Sequence, residues 1–360
     1  MSNYPIFDMI GIEYETECLD PKNLKGLPSQ FAPTHDASVE SDAHQLSNGL
    51  LLSTIDNNKV MNKLRINKKL TGTELVSRPF DVESGDILMV LKSLTSFLHR
   101  KGETPKSYRA GIHYHICSPY NLQILKNIIR LGSYMEDVFF RIGCQGYTFR
   151  GMKVNESQYC RPITKYGPQV IHYGNGGAQL FTCEDLLKAK SSKEFWIRYG
   201  DTDPDNVRRY APVRYSWLNL YSLLYHGTLE FRCFNKTLNP YYMHSQIELC
   251  RRFTQLVVTG DLEWVDDMNS VYDDRSTNDI MRTFRIFSEN TEMSQQSIDT
   301  LEKIIELSPS VELKKQLVWS HLEGDDSYWR NRLYNPTIVD SNTVEIANII
   351  DIHRLRGRRS

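Results

Sequence analysis

Three short segments, far apart in the chain, alternate charged or imidazole side chains with apolar ones, and this alternation constrains the fold more than any other feature. In "MIGIEYETE", Glu13, Glu15 and Glu17 fall on one side of an extended chain, and Ile10, Ile12 and Tyr14 on the other. "AGIHYHIC" repeats the division, with His113 and His115 opposite Ile112, Tyr114 and Ile116. In "YHGTLEFRCFN", alternation sets Thr228, Glu230, Arg232 and Phe234 against Leu229, Phe231 and Cys233. Taken singly, each polar face reads as a half-solvated strand, and the row of glutamates as an exposed edge. Taken together, a row of carboxylates, two histidines at i, i+2 and a Glu-x-Arg pair are costly beside a core unless cations neutralise them. Oxygen ligands with an occasional imidazole suit Mg²⁺ or Mn²⁺.

Length and composition set the frame for such a site. The chain has 360 residues, a net charge of -1 and 40% hydrophobic residues, which suits one large or two ordinary domains with a real core. Its 7 cysteines include no CxxC pair, which argues against both a disulfide framework and a thiolate zinc site, so reduced thiols are expected. The start, "MSNYPIFDMIGIEYETE", lacks a basic region followed by a long apolar core, and no apolar run approaches membrane-spanning length. A cytoplasmic protein without a membrane span is expected. The near-neutral charge exerts no overall pull toward nucleic acid, and the basic end "HRLRGRRS" reads as a solvated terminus.

Between the alternating segments the pattern is mixed. An alternating strand at 6–17 is followed by a stretch rich in Pro, Gly, Ser and Asp, "PKNLKGLPSQFAPTHDASVESDAHQLSNG", which reads as loop. "TGTELVSRP" is a further strand candidate. Apolar residues at helical spacing (Ile87, Leu88, Leu91, Leu94, Leu98) predict a helix over 85–99, and a longer one begins near Ser118 and Pro119. The polar segment 144–182 reads as a lid or substrate loop, and its "GNGG" lacks the Lys-Ser/Thr of a Walker motif. "YSWLNLYSLLYHGTLEFRCFN" reads as strands, and "YMHSQIELCRRFTQLVVTG" as a helix that stops at Gly260. Helical patterns such as "QQSIDTLEKIIEL" and "VELKKQLVWSHL" follow, so 1–260 is expected to form the main domain and 261–360 a helical C-terminal extension.

The ordered set "GIEYETE", "GTELVSRPF", "AGIHYHIC" and "HGTLEFRCFNKTLN" resembles the amidoligases, distant relatives of glutamine synthetase and glutamate–cysteine ligase, over roughly residues 6–258. Glutamine synthetases also carry a G-x-H-x-H strand and an E-x-R strand, which match Gly111–His115 and Glu230–Arg232 here. The resemblance implies an α+β fold of the glutamine-synthetase catalytic type, in which a curved antiparallel sheet with flanking helices surrounds ATP and divalent cations. It implies Glu15 and Glu74 as ligands of a cation near the acyl acceptor, and Glu13, His113 and Glu230 as ligands of a cation bridging the ATP phosphates. Arg232 would stabilise the transferred phosphoryl group with help from Arg214, while His115, Asn219 and Asp36 sit in recurring motifs, the first two beside the nucleotide.

The implied activity is an ATP- and Mg²⁺- (or Mn²⁺-) dependent carboxylate–amine ligase, forming an amide through an acyl phosphate. The partners would be a carboxylate and an amine, carried by small molecules, a peptide or a protein side chain; the chain lacks the long segments that build the amino-acid pocket of the larger synthetases. Three other readings stand beside it. One is a ligase fold kept for binding or regulation without turnover. Another is a cupin-like mononuclear metal enzyme, against which the helical patterns at 85–99, 119–142 and 241–259 count. The last is a nucleic-acid binder using the basic tail and the arginines near 208–214, which no aromatic platform accompanies.

Overall fold

The computed structural model describes residues 8–16, 19, 24–35, 41–42, 69–70, 73–82, 86–101, 103, 111–144, 160, 163, 182–200, 204–207, 214, 216–265 and 277–307. Asp36, nearly all of the expected lid at 144–182, the helical pattern at 311–322 and the basic tail lie outside these residues.

The alternating segments become neighbours in one antiparallel sheet. Its strands are β1 (Met9–Thr16), β2 (Phe31–His35), β5 (Thr73–Ser77), β6 (Phe80–Asp81), β7 (Gly111–Cys117), β8 (Leu218–Asn219) and β9 (Thr228–Asn235), in the order β2-β5-β1-β7-β9-β8 with β6 beside β1. A separate two-stranded ribbon joins β3 (Ser41–Asp42) to β4 (Lys69–Leu70). Among the described residues the helices are α1 (Ile87–Arg100), α2 (Leu122–Cys144), α3 (Cys183–Leu187), α4 (Ser192–Arg198), α5 (Tyr221–His226), α6 (Pro240–Thr259), α7 (Thr277–Glu289) and α8 (Gln295–Leu307). An open antiparallel sheet flanked by these helices is an α+β fold.

The apolar faces of β1, β7 and β9 supply Ile10, Ile12, Tyr14, Ile112, Tyr114, Ile116, Leu229 and Phe231 to a core completed by α1, α2 and α6. Phe139 of α2 is its hub, with ring centroids 4.8 Å from Trp217, 5.4 Å from Phe231 and 5.6 Å from Phe253. Contact between α2 and the sheet is close enough to demand glycine: a Cβ on Gly143 would lie 2.1 Å from the carbonyl oxygen of Cys233. The helices α7 and α8 pack on α2 in the same core, and the buried Arg141 ties them down by donating from Nε to the Ile305 carbonyl and from Nη2 to Thr277 Oγ1.

Four local expectations are corrected. The loop read after the first strand contains β2, an edge strand whose Pro33 is tolerated because an edge needs no donor on its free side. The stretch read as continuous strands is broken by α5: the Asn219 side-chain oxygen accepts from Tyr221 N–H and turns the chain, and Gly227, at φ 69°, ends the helix in the left-handed region. The long helix begins at Leu122, where the Asn121 side chain caps Ile124 N–H, and not at Ser118–Pro119. Finally, Phe231 pairs with Tyr114 but Phe234 pairs with Ile112, so β9 carries one extra residue opposite His113. This bulge reverses the alternation, and Phe234 lies with the apolar residues, its ring 5.1 Å from that of Tyr114. The helix expected to stop at Gly260 does so, capped there at φ 81° and at its start by Asn239.

Candidate active site

Sheet register brings the polar residues together. Glu15 stands opposite Glu74, Glu13 opposite His113, and His115 opposite both Gly11 and Glu230, while Asn219 pairs with Glu230. The strands thus carry Glu74, Glu13, Glu15, His113, His115, Glu230, Arg232 and Asn219 across one face, from β5 to β8. Most of this cluster is buried: Glu15, His113, His115, Glu230, Arg232 and Asn219 are each at most 9% exposed.

Two sets of ligand atoms converge closely enough to hold a metal ion: Glu13, His115 and Glu230, and Glu13, Glu74 and His113. Glu13 belongs to both. Its Oε2 lies 2.9 Å from His113 Nδ1 and its Oε1 3.2 Å from His115 Nε2. His113 Nε2 is also 3.4 Å from Glu15 Oε1, and Glu15 Oε2 accepts a 2.6 Å hydrogen bond from Gly111 N–H. Arg232 donates from Nη1 to Glu230 Oε1, and Asn219 donates from Nδ2 to Glu230 Oε2 at 2.6 Å, so that carboxylate is gripped from both sides.

Charge governs the titration of the cluster. Burial alone would raise the Glu13 carboxyl, but the charge of His115 and the hydrogen bond and charge of His113 hold it well below the ordinary value. Burial likewise opposes ionisation of Glu230, yet Arg232 and His115 bring it down to about 2. Burial depresses His115, and Glu13 and Glu230 outweigh that and raise it. For Arg232, burial is outweighed by Glu230, Glu15 and Glu13, which keep the guanidinium firmly charged. Among the described residues, Glu230, Glu15 and Glu13 thus act on one guanidinium, and both imidazoles lie against Glu13.

Fit to a cation can be judged from one atom. His115 Nε2 is buried and has no hydrogen-bond partner, although it lies 3.2 Å from Glu13 Oε1 and 3.9 Å from Glu230 Oε1. An unbonded ring nitrogen between two carboxylates, in a cluster of hard oxygen donors, is a donor set that suits a divalent cation such as Mg²⁺ or Mn²⁺.

Arg214 is placed by its neighbour His226. It is half-buried and acts electrostatically on His226, at the C-terminal end of α5. His226 was not among the residues singled out in the sequence, nor was Ser222. The His226 ring sits edge-on to His115 with centroids 6.0 Å apart, and burial and the charge of His115 lower its basicity. Both residues belong to α5, which the strand reading of this stretch concealed. A surface groove of about 620 Å³, lined by residues such as Gln30, Met89, Lys92 and Arg100, lies between the Gly26–Gln30 loop and α1 and shares no residue with the cluster.

No described helix is long and apolar enough to cross a membrane. No functionally curated protein matches the chain. The family model described as "Putative amidoligase enzyme" matches residues 29–254. It covers Glu74, His113, His115, Asn219, Glu230 and Arg232 but begins after β1, so Glu13 and Glu15 join the site through the pairing of β1 between β5 and β7. With more than half of its length matched, and the ordered motifs assembled on one sheet face, the chain belongs to the amidoligase family.

Proposed function

We propose that the protein is an ATP- and Mg²⁺-dependent ligase that joins a carboxylate to an amine through an acyl phosphate. The observation that carries this reading is the convergence of Glu13, Glu15, Glu74, Glu230, His113 and His115 beside Arg232 on one largely buried sheet face. A family whose described activity is amide ligation gives the same direction.

The chemistry explains why such a face would be kept. A carboxylate does not condense with an amine at neutral pH until one of its oxygens becomes a leaving group. Transfer of the ATP γ-phosphoryl group to that oxygen supplies one and releases ADP. The amine nitrogen then attacks the acyl carbon, phosphate departs, and the nitrogen gives up a proton. Phosphoryl transfer needs little from a protein beyond positioning and compensation of charge. Glu13, Glu230 and the imidazoles would hold one cation and Glu15 and Glu74 a second, and cations so held would supply positive charge against that of the phosphates. Arg232 can keep Nη1 on Glu230 and still offer other N–H donors to an equatorial phosphoryl oxygen. Arg214, near His226, would approach the same group from the rim.

A screen of carboxylate–amine pairs for ADP release, with products identified by mass spectrometry, tests the proposal. Amide formation that requires ATP and disappears on chelation is expected. ATP-independent product, or turnover unchanged in EDTA, would overturn it.

A further inference from the structure

The two histidines of β7 are held differently. His113 turns Nδ1 toward Glu13 and Nε2 toward Glu15, so both ring nitrogens meet carboxylates of the cluster. His115 turns Nδ1 away from the acids, to hydroxyls: Thr228 Oγ1 at 3.0 Å and Ser222 Oγ at 3.4 Å, with 2.8 Å between the two hydroxyl oxygens. Its Nε2 is buried without a hydrogen bond between Glu13 and Glu230. Thr228 opens β9 and Ser222 lies in the first turn of α5, so the hydroxyl pair is fixed where the Gly227 turn joins the two elements.

We propose that His115 is a cation ligand through Nε2, and that Thr228 and Ser222 are positioning residues that select this state of the ring. The proposal rests on the ligase reading above and adds residues to which that reading assigns no such part. In the neutral ring one nitrogen carries the proton and the other the lone pair, and the hydrogen bond made by the first decides which is which. Nδ1–H donating to Thr228 Oγ1, with the Thr228 O–H donating in turn to Ser222 Oγ, leaves the lone pair on Nε2, facing Glu13 and Glu230. The opposite tautomer would strand a buried N–H that has no acceptor in good geometry. A hydroxyl that bonds the outer nitrogen of a ligating imidazole is a common way to aim it.

The test uses the full chain and Mn²⁺ as the probe, with binding followed by electron paramagnetic resonance. Thr228→Val should weaken Mn²⁺ binding about 10- to 100-fold, the usual loss for such an outer partner, while Thr228→Ser should stay near wild type. Ser222→Ala should fall between them, and it carries the comparison if the valine variant does not fold. Independently of metal, two-bond ¹H–¹⁵N spectra at alkaline pH, where the rings are neutral, should show His115 protonated at Nδ1, with the signal assigned through His115→Asn. Protonation at Nε2 in the wild type would overturn the proposal, as would wild-type Mn²⁺ affinity in folded Thr228→Val and Ser222→Ala; both leave the ligase reading standing. Failure of the wild type to bind Mn²⁺ at all would remove the cation from the proposed function, and the ligand role of His115 with it.

Discussion

Buried carboxylates lie on both sides of the central sheet, and they are treated in opposite ways. On the helix side, Glu136 of α2 accepts from Ile163 N–H at 2.6 Å and from Trp217 Nε1–H at 2.8 Å, and Glu248 of α6 accepts from the N–H and the hydroxyl of Ser294. Each of these acids has its own set of neutral donors. On the other side, Glu13, Glu15 and Glu230 share Arg232, two imidazoles, and the N–H groups of Gly111 and Asn219, and Glu74 converges with Glu13 and His113. The strands between are common to both. The difference teaches that burial alone does not mark a functional acid. What distinguishes the second group is convergence, because ligand atoms of several carboxylates and imidazoles lie within reach of one point, whereas each acid on the helix side meets donors of its own.

The largest expected effect tests the clustered side directly. Glu230→Gln and Arg232→Ala should each lower ligase turnover about 10²- to 10³-fold, since loss of one preorganised electrostatic contact costs roughly 3–4 kcal/mol in the transition state. Glu230→Gln should also weaken metal-dependent nucleotide binding, and Arg232→Ala should act mainly on the phosphoryl step. Initial rates and nucleotide titrations on folded variants measure both. Near-wild-type rates for the pair would return this strand to an ordinary half-solvated one.

On the helix side the expected loss is stability. Glu136→Leu strands the buried N–H groups of Ile163 and Trp217, at about 1–3 kcal/mol for each unmet donor, so urea denaturation should show a loss of about 2–6 kcal/mol. Mn²⁺ affinity of the folded variant should be unchanged. A variant that keeps its stability but loses metal would break the comparison.

Metal addition separates the two sides again. Saturating Mg²⁺ stabilises a protein that binds it only when folded by about 2.7 kcal/mol at a hundred times its Kd. Thermal unfolding of the wild type and of Glu136→Leu should shift upward with Mg²⁺, and Glu13→Gln should lose most of that shift because Glu13 belongs to both candidate ligand sets. An equal shift in Glu13→Gln would place the cation elsewhere.

Much of the clustered face was legible in the sequence because it is written at period two. Glu13, Glu15, His113, His115, Glu230 and Arg232 sit at i, i+2 spacings on strands whose alternate residues are strongly apolar, and the sheet brings all six together. Glu74 and Asn219 joined the set by resemblance, and their register partners place them in it. Long apolar helices were likewise legible, α1, α2 and α6 among them. Three physical effects hid the rest. A bulge breaks the alternation at Arg232–Cys233, so Phe234 was assigned to the wrong face. Residues 221–226 are as apolar as a strand, and only a side-chain turn at Asn219 and the left-handed Gly227 make them a helix, which concealed Ser222 and His226. β2 is short, polar in its surroundings and carries Pro33, the usual marks of a loop and also of a protected edge. Hydroxyls such as Thr228 and Ser222 carry no signature of their own, since their role depends on a ring more than a hundred residues away in the chain.

The smallest effect concerns Glu248, the acid that fixes the start of α8 to α6. Burial by itself would push its carboxyl up, but the Ser297 hydroxyl, the N–H and hydroxyl of Ser294 and the charge of His244 outweigh burial and hold it below the ordinary value. A depressed folded value means that the ionised form stabilises the fold, fully at pH above the unfolded carboxyl value of 4.5, and that this contribution fades as pH falls toward the folded value. Glu248→Gln keeps the shape of the side chain and one acceptor oxygen but not the charge, so at neutral pH it should cost about 1 kcal/mol, the net worth of a hydrogen bond or two. In urea the gap between wild type and variant should narrow steadily as the buffer is taken into the acid range. Because the donors to Glu248 come chiefly from α8, the same variant should first loosen amide protection in the opening turn of that helix and leave Mn²⁺ binding at the sheet unchanged. A gap that stays constant down to acid pH would mean that the charge of Glu248 contributes nothing, and that neutral hydrogen bonding alone joins α8 to α6.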